Sequence, residues 1–323
     1  MNEFALIERH FRRAPRDPAV RVGIGDDSAV IAPTPGTELV LSVDMLVEGR
    51  HFVAGTDPAR LGHKTLAVNV SDLAAMGATP RFALLAGALP DADDAWLAAF
   101  MTGFRALAER FGVELIGGDT TRGPRNLCMT IVGEVPAGTA LTRAGARDGD
   151  DIYVSGALGD AALALAAMEG RTELDADSLA RARDRLEAPE PRVALGEQLR
   201  GVASAALDLS DGLTGDLGHI LERSSVGAIV DVANVPRSAA LGAKLVGAQR
   251  DLALACLLAG GDDYELCFCA PPSVRAGIDE IASSLALPVA RIGVITARAG
   301  LVVRDERGMP LSALPRAFDH FAA

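Results

Sequence analysis

Nine aspartates stand where an apolar run meets glycine or ends: Asp26, Asp27, Asp44, Asp72, Asp119, Asp208, Asp211, Asp262 and Asp263. The stretches that carry them read VGIGDDSAVI, LSVDML, NVSDLAAMG, LIGGDTT, LDLSDGL and LAGGDDYEL. Ligands bind at strand ends in α/β folds, and a carboxylate beside glycine leaves a small ligand room to approach. Two like charges 4 Å apart cost about 4 kcal/mol at an effective dielectric of 20. Five or more gathered together stay ionised only if cations join them. Oxygen-only ligand sets select hard ions, Mg²⁺ above all when phosphate completes the shell. Convergence of these side chains therefore predicts magnesium and a phosphorylated ligand.

Taken singly, each aspartate also has a plain structural reading. Asp26 and Asp27 could shape a turn. Asp72 lies mid-helix on the same side as Asn69, three residues earlier, where a solvent-facing side chain is ordinary. Asp119, in GGDTT, could cap or turn, and Ser210 or Asp211 could be an N-cap. The Gly-Asp-Asp at 149–151 reads as surface in a charged linker. The recurrence of five such motifs at element ends is what favours chemistry. Other signatures fail: there is no GxxxxGK[ST], no HExxH and no GxSxG, and SGALGD at 155–160 does not spell GxGxxG. His51 follows the Asp44 strand and so falls near the predicted site, whereas His63 and His219 read as helix-surface residues.

The elements that must position these residues follow from composition and periodicity. With 323 residues the chain fits two domains, and 49% hydrophobic against 4% aromatic content makes the core one of Ala, Val and Leu. The net charge of -12 argues against a nucleic-acid partner. It does not exclude an anionic small substrate, because bound metal ions invert a local field. Cys128, Cys256, Cys267 and Cys269 form no CxxC pair and read as buried reduced thiols, which fits a cytoplasmic protein. MNEFALIERHFRR has no apolar h-region and reads as a short amphipathic helix, and no apolar run reaches the roughly 18 residues of a membrane span. A soluble protein without a membrane partner is expected.

ELVLSVDML (38–46) reads as a strand, 63–80 as a helix stopped by Gly77 and Pro80, RFALLAGALP as a buried strand and 91–112 as a second helix. Strands follow in VELIGGDTTRGP and NLCMTIVGEVP. The boundary is expected near TRAGARDGDD, giving domains at 1–147 and 148–323. In the second, DDIYVSG is a strand and GDAALALAAMEG a helix, and 171–192 is a loop or an appended helix. ASAALDLSDGLTGDLGHILERSS gives strand, turn and helix. VGAIVDVANVP, the end of DLALACLLAGGDDYELCFCAP, RIGVITAR and GLVVRDERG supply further strands.

VGIGDDSAVI, LSVDMLVEGRHF, GHKTLAVNVSDLAAMGATP, LIGGDTTRG, LDLSDGL, GGDDYEL and the terminal FDHF, in this order over about residues 22–321, resemble the thiamine-monophosphate kinase family. That family lies in the superfamily of aminoimidazole ribonucleotide synthetase and selenophosphate synthetase. The resemblance implies an α/β (α+β) fold of two domains, aminoimidazole ribonucleotide synthetase-like, whose N-terminal sheet forms a homodimer interface. It implies ATP as co-substrate, several Mg²⁺ ions and thiamine monophosphate as acceptor. By motif position, Asp27, Ser42, Asp44, Asp72, Asp119, Asp208 and Asp211 match metal ligands, and Asp27, Asp44, Asp72, Asp119 and Asp211 carry the catalysis. Gly118, Asp119, Arg143 and Ser210 match ATP contacts, and His51, Glu265 and Phe318 match residues that hold thiamine phosphate. Val43 stands where the family often has threonine, so a metal contact there must come from backbone oxygen. Three rivals remain: another ATP-dependent enzyme of the superfamily, a nucleotide-binding protein without turnover, and a metal-dependent phosphohydrolase. Selenophosphate synthetase carries a reactive residue near its N-terminus, whereas the first cysteine here is Cys128. The hydrogenase-maturation relative ends in cysteine, whereas this chain ends HFAA.

Overall fold

The structure, a computed structural model, describes residues 3–317; the expectation for Phe318 lies outside them. The chain divides into two compact units, one of residues 1–73 and 78–139, the other of 74–77 and 140–323. The stretch 140–147 packs with the second unit because its backbone is tied there. The amide of Ala206 donates to the Thr142 carbonyl (2.9 Å), and that of Gly145 to Ser224 Oγ (3.1 Å).

The first unit opens with α1 (Glu3–Leu6), continued by a π-helical turn, and a small ribbon of β1 (Val20–Val22) and β2 (Val30–Ile31). Then come β3 (Thr37–Val47), α2 (Pro58–Ala75), β4 (Thr79–Leu89), α3 (Asp94–Phe111), β5 (Glu114–Arg122) and β6 (Asn126–Pro136). The four long strands form one sheet in the order β3-β6-β4-β5, antiparallel except between β4 and β5. Helix α2 starts five residues before the periodic pattern, at Pro58, whose fixed φ suits a first helical position. It ends at Ala75, and Thr79 and Pro80 already belong to the next strand. Leu66, Ala67, Val70, Leu73 and Ala74 are fully buried along it. A Cβ on Gly62 of α2 would lie 1.9 Å from the Phe100 carbonyl oxygen, and one on Gly103 of α3 1.8 Å from that of Ala59. These two glycines set a close crossing of α2 and α3. Asp93 caps α3 by accepting from the amides of Ala95 and Trp96, and Gly112 ends it at φ 68°.

The second unit contains β7 (Asp151–Ser155), α4 (Asp160–Met168), α5 (Ala176–Glu187), α6 (Val193–Leu199), β8 (Ala205–Asp208), α7 (Leu213–Ser224) and β9 (Gly227–Asp231). It continues with α8 (Ala239–Lys244), α9 (Arg250–Ala259), β10 (Leu266–Ala270), α10 (Arg275–Ser284), β11 (Val289–Thr296) and β12 (Gly300–Arg304). The sheet runs β12-β9-β11-β7-β10-β8, and only β12 and β9 are parallel. The core is aliphatic, as composition predicts: Leu158, Leu163, Leu209, Ile220, Leu241, Leu258 and Ile292 are fully buried in it. Cys256, Cys267 and Cys269 are free and buried, and burial pushes all three thiols up, Cys256 to about 11.

One expectation is overturned here. Asp150 and Asp151 are not surface residues but are 4% and 2% exposed. Asp150 accepts from the Arg147 amide (2.9 Å) and Ser204 Oγ (2.6 Å). Asp151 accepts from Arg275 at 2.6 and 2.8 Å and from Arg291 at 3.2 Å. Burial opposes ionisation of Asp151, but the hydrogen bonds and charges of the two guanidiniums outweigh it and hold its pKa below the usual value.

Candidate active site

In the first unit, strand alternation sorts β3 into two faces. Ser42 and Asp44 point one way. Val43 points the other, 60% exposed, in a row with Leu39, Leu41 and Met45. Only the backbone of Val43 is available on the side of Asp44. Helix α2 lies against the Ser42 face. Ser42 Oγ donates to Asp72 Oδ2, and the Asp44 amide donates to Asn69 Oδ1 at 3.2 Å. Asn69 and Asp72 share a helix face, as their spacing predicts, and that face meets a strand rather than solvent. Asp72 is half-buried.

The loop after β3 carries His51. Its Nδ1 accepts from the Val47 amide (3.0 Å), so in the neutral ring the proton sits on Nε2. The His51 carbonyl accepts from Lys64 Nζ at 3.2 Å, and Lys64 is only 2% exposed. The motif reading passed over Lys64, although it is one of two lysines among 31 basic residues. Its rarity, in a stretch just upstream of Asn69 and Asp72, was the signal available.

Asp27 is exposed in the β1–β2 turn, where its amide donates to Asp26 Oδ1 at 3.0 Å. The turn reading of this pair therefore holds, and it leaves the Asp27 carboxylate facing outward. Gly118 and Asp119 are exposed on β5. Gly118 approaches β4 so closely that a Cβ would lie 1.9 Å from the Leu85 carbonyl oxygen. β5 lies three strands from β3, roughly 14 Å at the usual strand spacing. The first unit thus joins Ser42, Asp44 and Asp72 and holds Asp119 apart from them.

In the second unit, Asp208 ends β8 and is 7% exposed, and Ser210 and Asp211 follow in an open turn. Gly212 closes that turn at φ 104°, where a Cβ would lie 2.6 Å from the Ala259 backbone. The turn is stitched to the Gly-Gly-Asp-Asp loop: the Asp262 amide donates to the Ser210 carbonyl and the Tyr264 amide to that of Leu209, both at 2.8 Å. Asp262 and Tyr264 adopt positive φ, 59° and 50°, which is uncommon for such residues and clusters at working sites. Asp216, in the first turn of α7, lies beneath the turn and is 5% exposed. Burial pushes its carboxyl up to about 7. Asp216 was also missed; an acidic residue in the first turn of a helix that follows a glycine turn was its signal. Arg143 is exposed, and its carbonyl accepts from Ser224 Oγ at 3.3 Å.

Glu265 departs from the expectation of direct substrate contact. It is 0% exposed. Its carboxylate takes Ser155 Oγ (2.6 Å), two bonds from Arg192 (2.6 and 2.5 Å) and one from Arg185. Both oxygens are occupied by the protein itself.

Among the described residues, no three His, Cys, Asp or Glu side chains close into a ready cation cage. The donors are nevertheless all oxygen. The Ser42 hydroxyl meets the Asp72 carboxylate, Asp44 lies two residues along the same strand face, and Asp208 and Asp211 flank one turn. Each of these two groups, taken within its own unit, suits a hard divalent cation rather than zinc or copper.

Comparison with known proteins agrees with this geometry. Residues 25–135 match the AIR synthase related protein N-terminal domain and residues 147–306 its C-terminal domain. The chain therefore belongs to the AIR synthase related family. Within that family it is 46% identical over 327 aligned residues to the thiamine-monophosphate kinase of Escherichia coli O157:H7, covering 99% of this chain and 98% of the relative. The crystal structure of thiamine-monophosphate kinase from Stenotrophomonas maltophilia superposes with a TM-score of 0.86 at 47% identity, over 96% and 98% of the two chains. The AaThiL complex with AMPPCP and TMP superposes with a TM-score of 0.76 at 28% identity, over 90% and 89%. By likeness over its full length, the chain takes its place among the thiamine-monophosphate kinases, which are phosphotransferases.

Proposed function

We propose that this protein transfers the γ-phosphoryl group of ATP to the phosphate of thiamine monophosphate, giving thiamine diphosphate and ADP. The observation that carries the reading is the oxygen donor set of Ser42, Asp44 and Asp72 in the first unit, with Asp208 and Asp211 in the second, in a chain 46% identical to a thiamine-monophosphate kinase across its length. Transfer is direct and in line. A phosphate oxygen of the acceptor forms the new bond to the γ-phosphorus as the bond to the ADP oxygen breaks and ADP departs with its electron pair. The nucleophile is already ionised at neutral pH, so no strong general base is needed.

Asp27, Ser42, Asp44, Asp72, Asp119, Asp208 and Asp211 would hold Mg²⁺, and Val43 would add at most its carbonyl. Mg²⁺ when bound cancels repulsion between the two polyanions and neutralises charge that develops on the transferred group. Gly118, Asp119, Arg143 and Ser210 hold ATP, Arg143 by its planar fork of donors. His51 orients the acceptor with Nε2–H, since its Nδ1 is engaged by the Val47 amide. Glu265 contributes at one remove by fixing Arg185 and Arg192. The test is to mix protein, Mg²⁺, ATP and thiamine monophosphate and follow ADP and thiamine diphosphate. Equimolar formation of both supports the reading. ADP formed equally without acceptor overturns it in favour of a phosphohydrolase, and no ADP in favour of a binding protein.

The protein works as a homodimer through the outer face of its first sheet. Leu39, Leu41, Val43 and Met45 present a contiguous apolar row on an edge strand, 42–63% exposed. Patches of this kind on a soluble chain mark an interface, and a second copy offers the self-complementary partner. Cys128 lies opposite Met45 in the same sheet. Leu41→Asp is expected to convert a dimer into monomers in light scattering; a wild-type chain that is already monomeric contradicts the assembly. No described helix is long and apolar enough to cross a membrane.

A further inference from the structure

We propose that Asp216 is the positioning residue of the second unit's carboxylate turn, occupying with its own side chain an amide nest that would otherwise attract an anion. This inference rests on the reading of Asp208, Ser210 and Asp211 as metal and nucleotide ligands. Asp216 Oδ2 accepts from the Asp211 amide at 3.0 Å. The neighbouring amides of Ser210 and Gly212 favour the charged form of this carboxylate, against its burial. One amide therefore bonds this buried side chain directly, and its two neighbours in sequence add to the pull on it. They do so at the N-terminus of α7, a twelve-residue helix whose dipole reinforces their pull on negative charge.

Successive amides at a helix start form a phosphate cradle in many proteins. Here the cradle is filled from within. The carbonyls on the other side of the turn are also engaged, that of Leu209 by the Tyr264 amide and that of Ser210 by the Asp262 amide. The backbone of residues 209–212 is thus gripped from two sides. The Asp208 and Asp211 carboxylates and the Ser210 hydroxyl, rather than backbone amides, are what the turn offers to a ligand. Anionic phosphate is turned away from the nest, and cations are drawn to the outward carboxylates. Removing the Asp216 carboxylate frees the Asp211 amide, lets the turn relax and reverses that preference.

The test compares Asp216→Asn, Asp216→Ala and Asp211→Asn with wild type in the full chain. Mn²⁺ is titrated by electron paramagnetic resonance with AMPPCP present, so turnover plays no part. Asp216→Asn is expected to raise the half-saturating Mn²⁺ concentration about 10–100-fold, as loss of an outer-shell partner does. Asp211→Asn is expected to raise it at least as far. Sulfate, compared with chloride at equal ionic strength, is expected to raise the melting temperature of Asp216→Ala further than it raises that of wild type, a response that a merely structural residue would not produce. If Asp211→Asn binds Mn²⁺ like wild type, the ligand reading fails and this proposal with it. If Asp211→Asn weakens binding while Asp216→Asn does not, the positioning role alone is overturned. Should the Asp216 variants fail to fold, hydrogen exchange on the wild-type chain decides: the Asp211 amide must be as protected as the core of α7, and fast exchange there rejects the proposal.

Discussion

The tripeptide Gly-Asp-Asp occurs three times in this chain, and the fold gives it three different fates. At 25–27 both aspartates are exposed in a turn. At 149–151 both are buried and bound by serine, arginine and backbone partners. At 261–263 one is half-buried at positive φ and the other is buried, accepting from the Gly159 amide at 2.8 Å. The difference teaches that a carboxylate's role is set by which distant groups the topology delivers to it. Asp151 meets two guanidiniums and is stabilised as an anion. Asp263 lies deep, takes one amide bond, and burial raises its pKa well above the ordinary value. Asp27 keeps its solvation and is available to a ligand.

That contrast can be broken most forcefully at Asp151. Asp151→Asn removes charged hydrogen bonds, and Arg275 and Arg291, half exposed, return to water. The expected loss is therefore about 1.5–3 kcal/mol, smaller than for a variant that strands a buried charge, read from denaturant unfolding of the full chain. The sign with pH follows from a depressed folded pKa: the wild-type contribution is complete above the unfolded value of 3.8 and is lost as pH falls through the folded one. Asp151→Asn is expected to lack that acid-side decline.

Asp263 sharpens the comparison by reversing the sign. Its folded pKa is raised, so its contribution is present at low pH and is lost as pH climbs from 3.8 through the folded value. Asp263→Asn keeps an acceptor for the Gly159 amide and is expected to cost about 1 kcal/mol or less. Its stability should no longer decline over that rise; an unchanged wild-type slope would contradict the assignment. The smallest effect on stability belongs to Asp27→Asn, expected within about 0.5 kcal/mol of wild type. If Asp27 holds metal, the same variant slows phosphoryl transfer, and equal rates remove it from the site.

What was legible in the sequence was local. Hydrophobic periodicity located the strands around Asp44 and Asp119 and the helix that pairs Asn69 with Asp72. Pro58 hid the first turn of α2, because a proline there looks like a break until it is known to lie at a helix start. The polar stretch 171–192 left loop and appended helix open, and it holds a helix, Ala176–Glu187, fixed by the Asp175 cap and core contacts through Ala182 and Leu186 rather than by a broad apolar stripe. Asp151 was misread as surface because its partners lie 124 and 140 residues away. The partners of Glu265 were equally hidden, since Arg185 and Arg192 reach it from 80 and 73 residues back. Long-range ion pairs leave no mark on local pattern, whereas turn chemistry and helix spacing do.

The seclusion of Lys64 has a practical outcome. Lys244, its only companion in amine chemistry along the side chains, lies in the second unit and is half-buried. An acylating reagent therefore reaches Lys64 only in molecules whose first unit has opened. Mass spectrometry of that single adduct would clock the breathing of one half of the protein independently of the other.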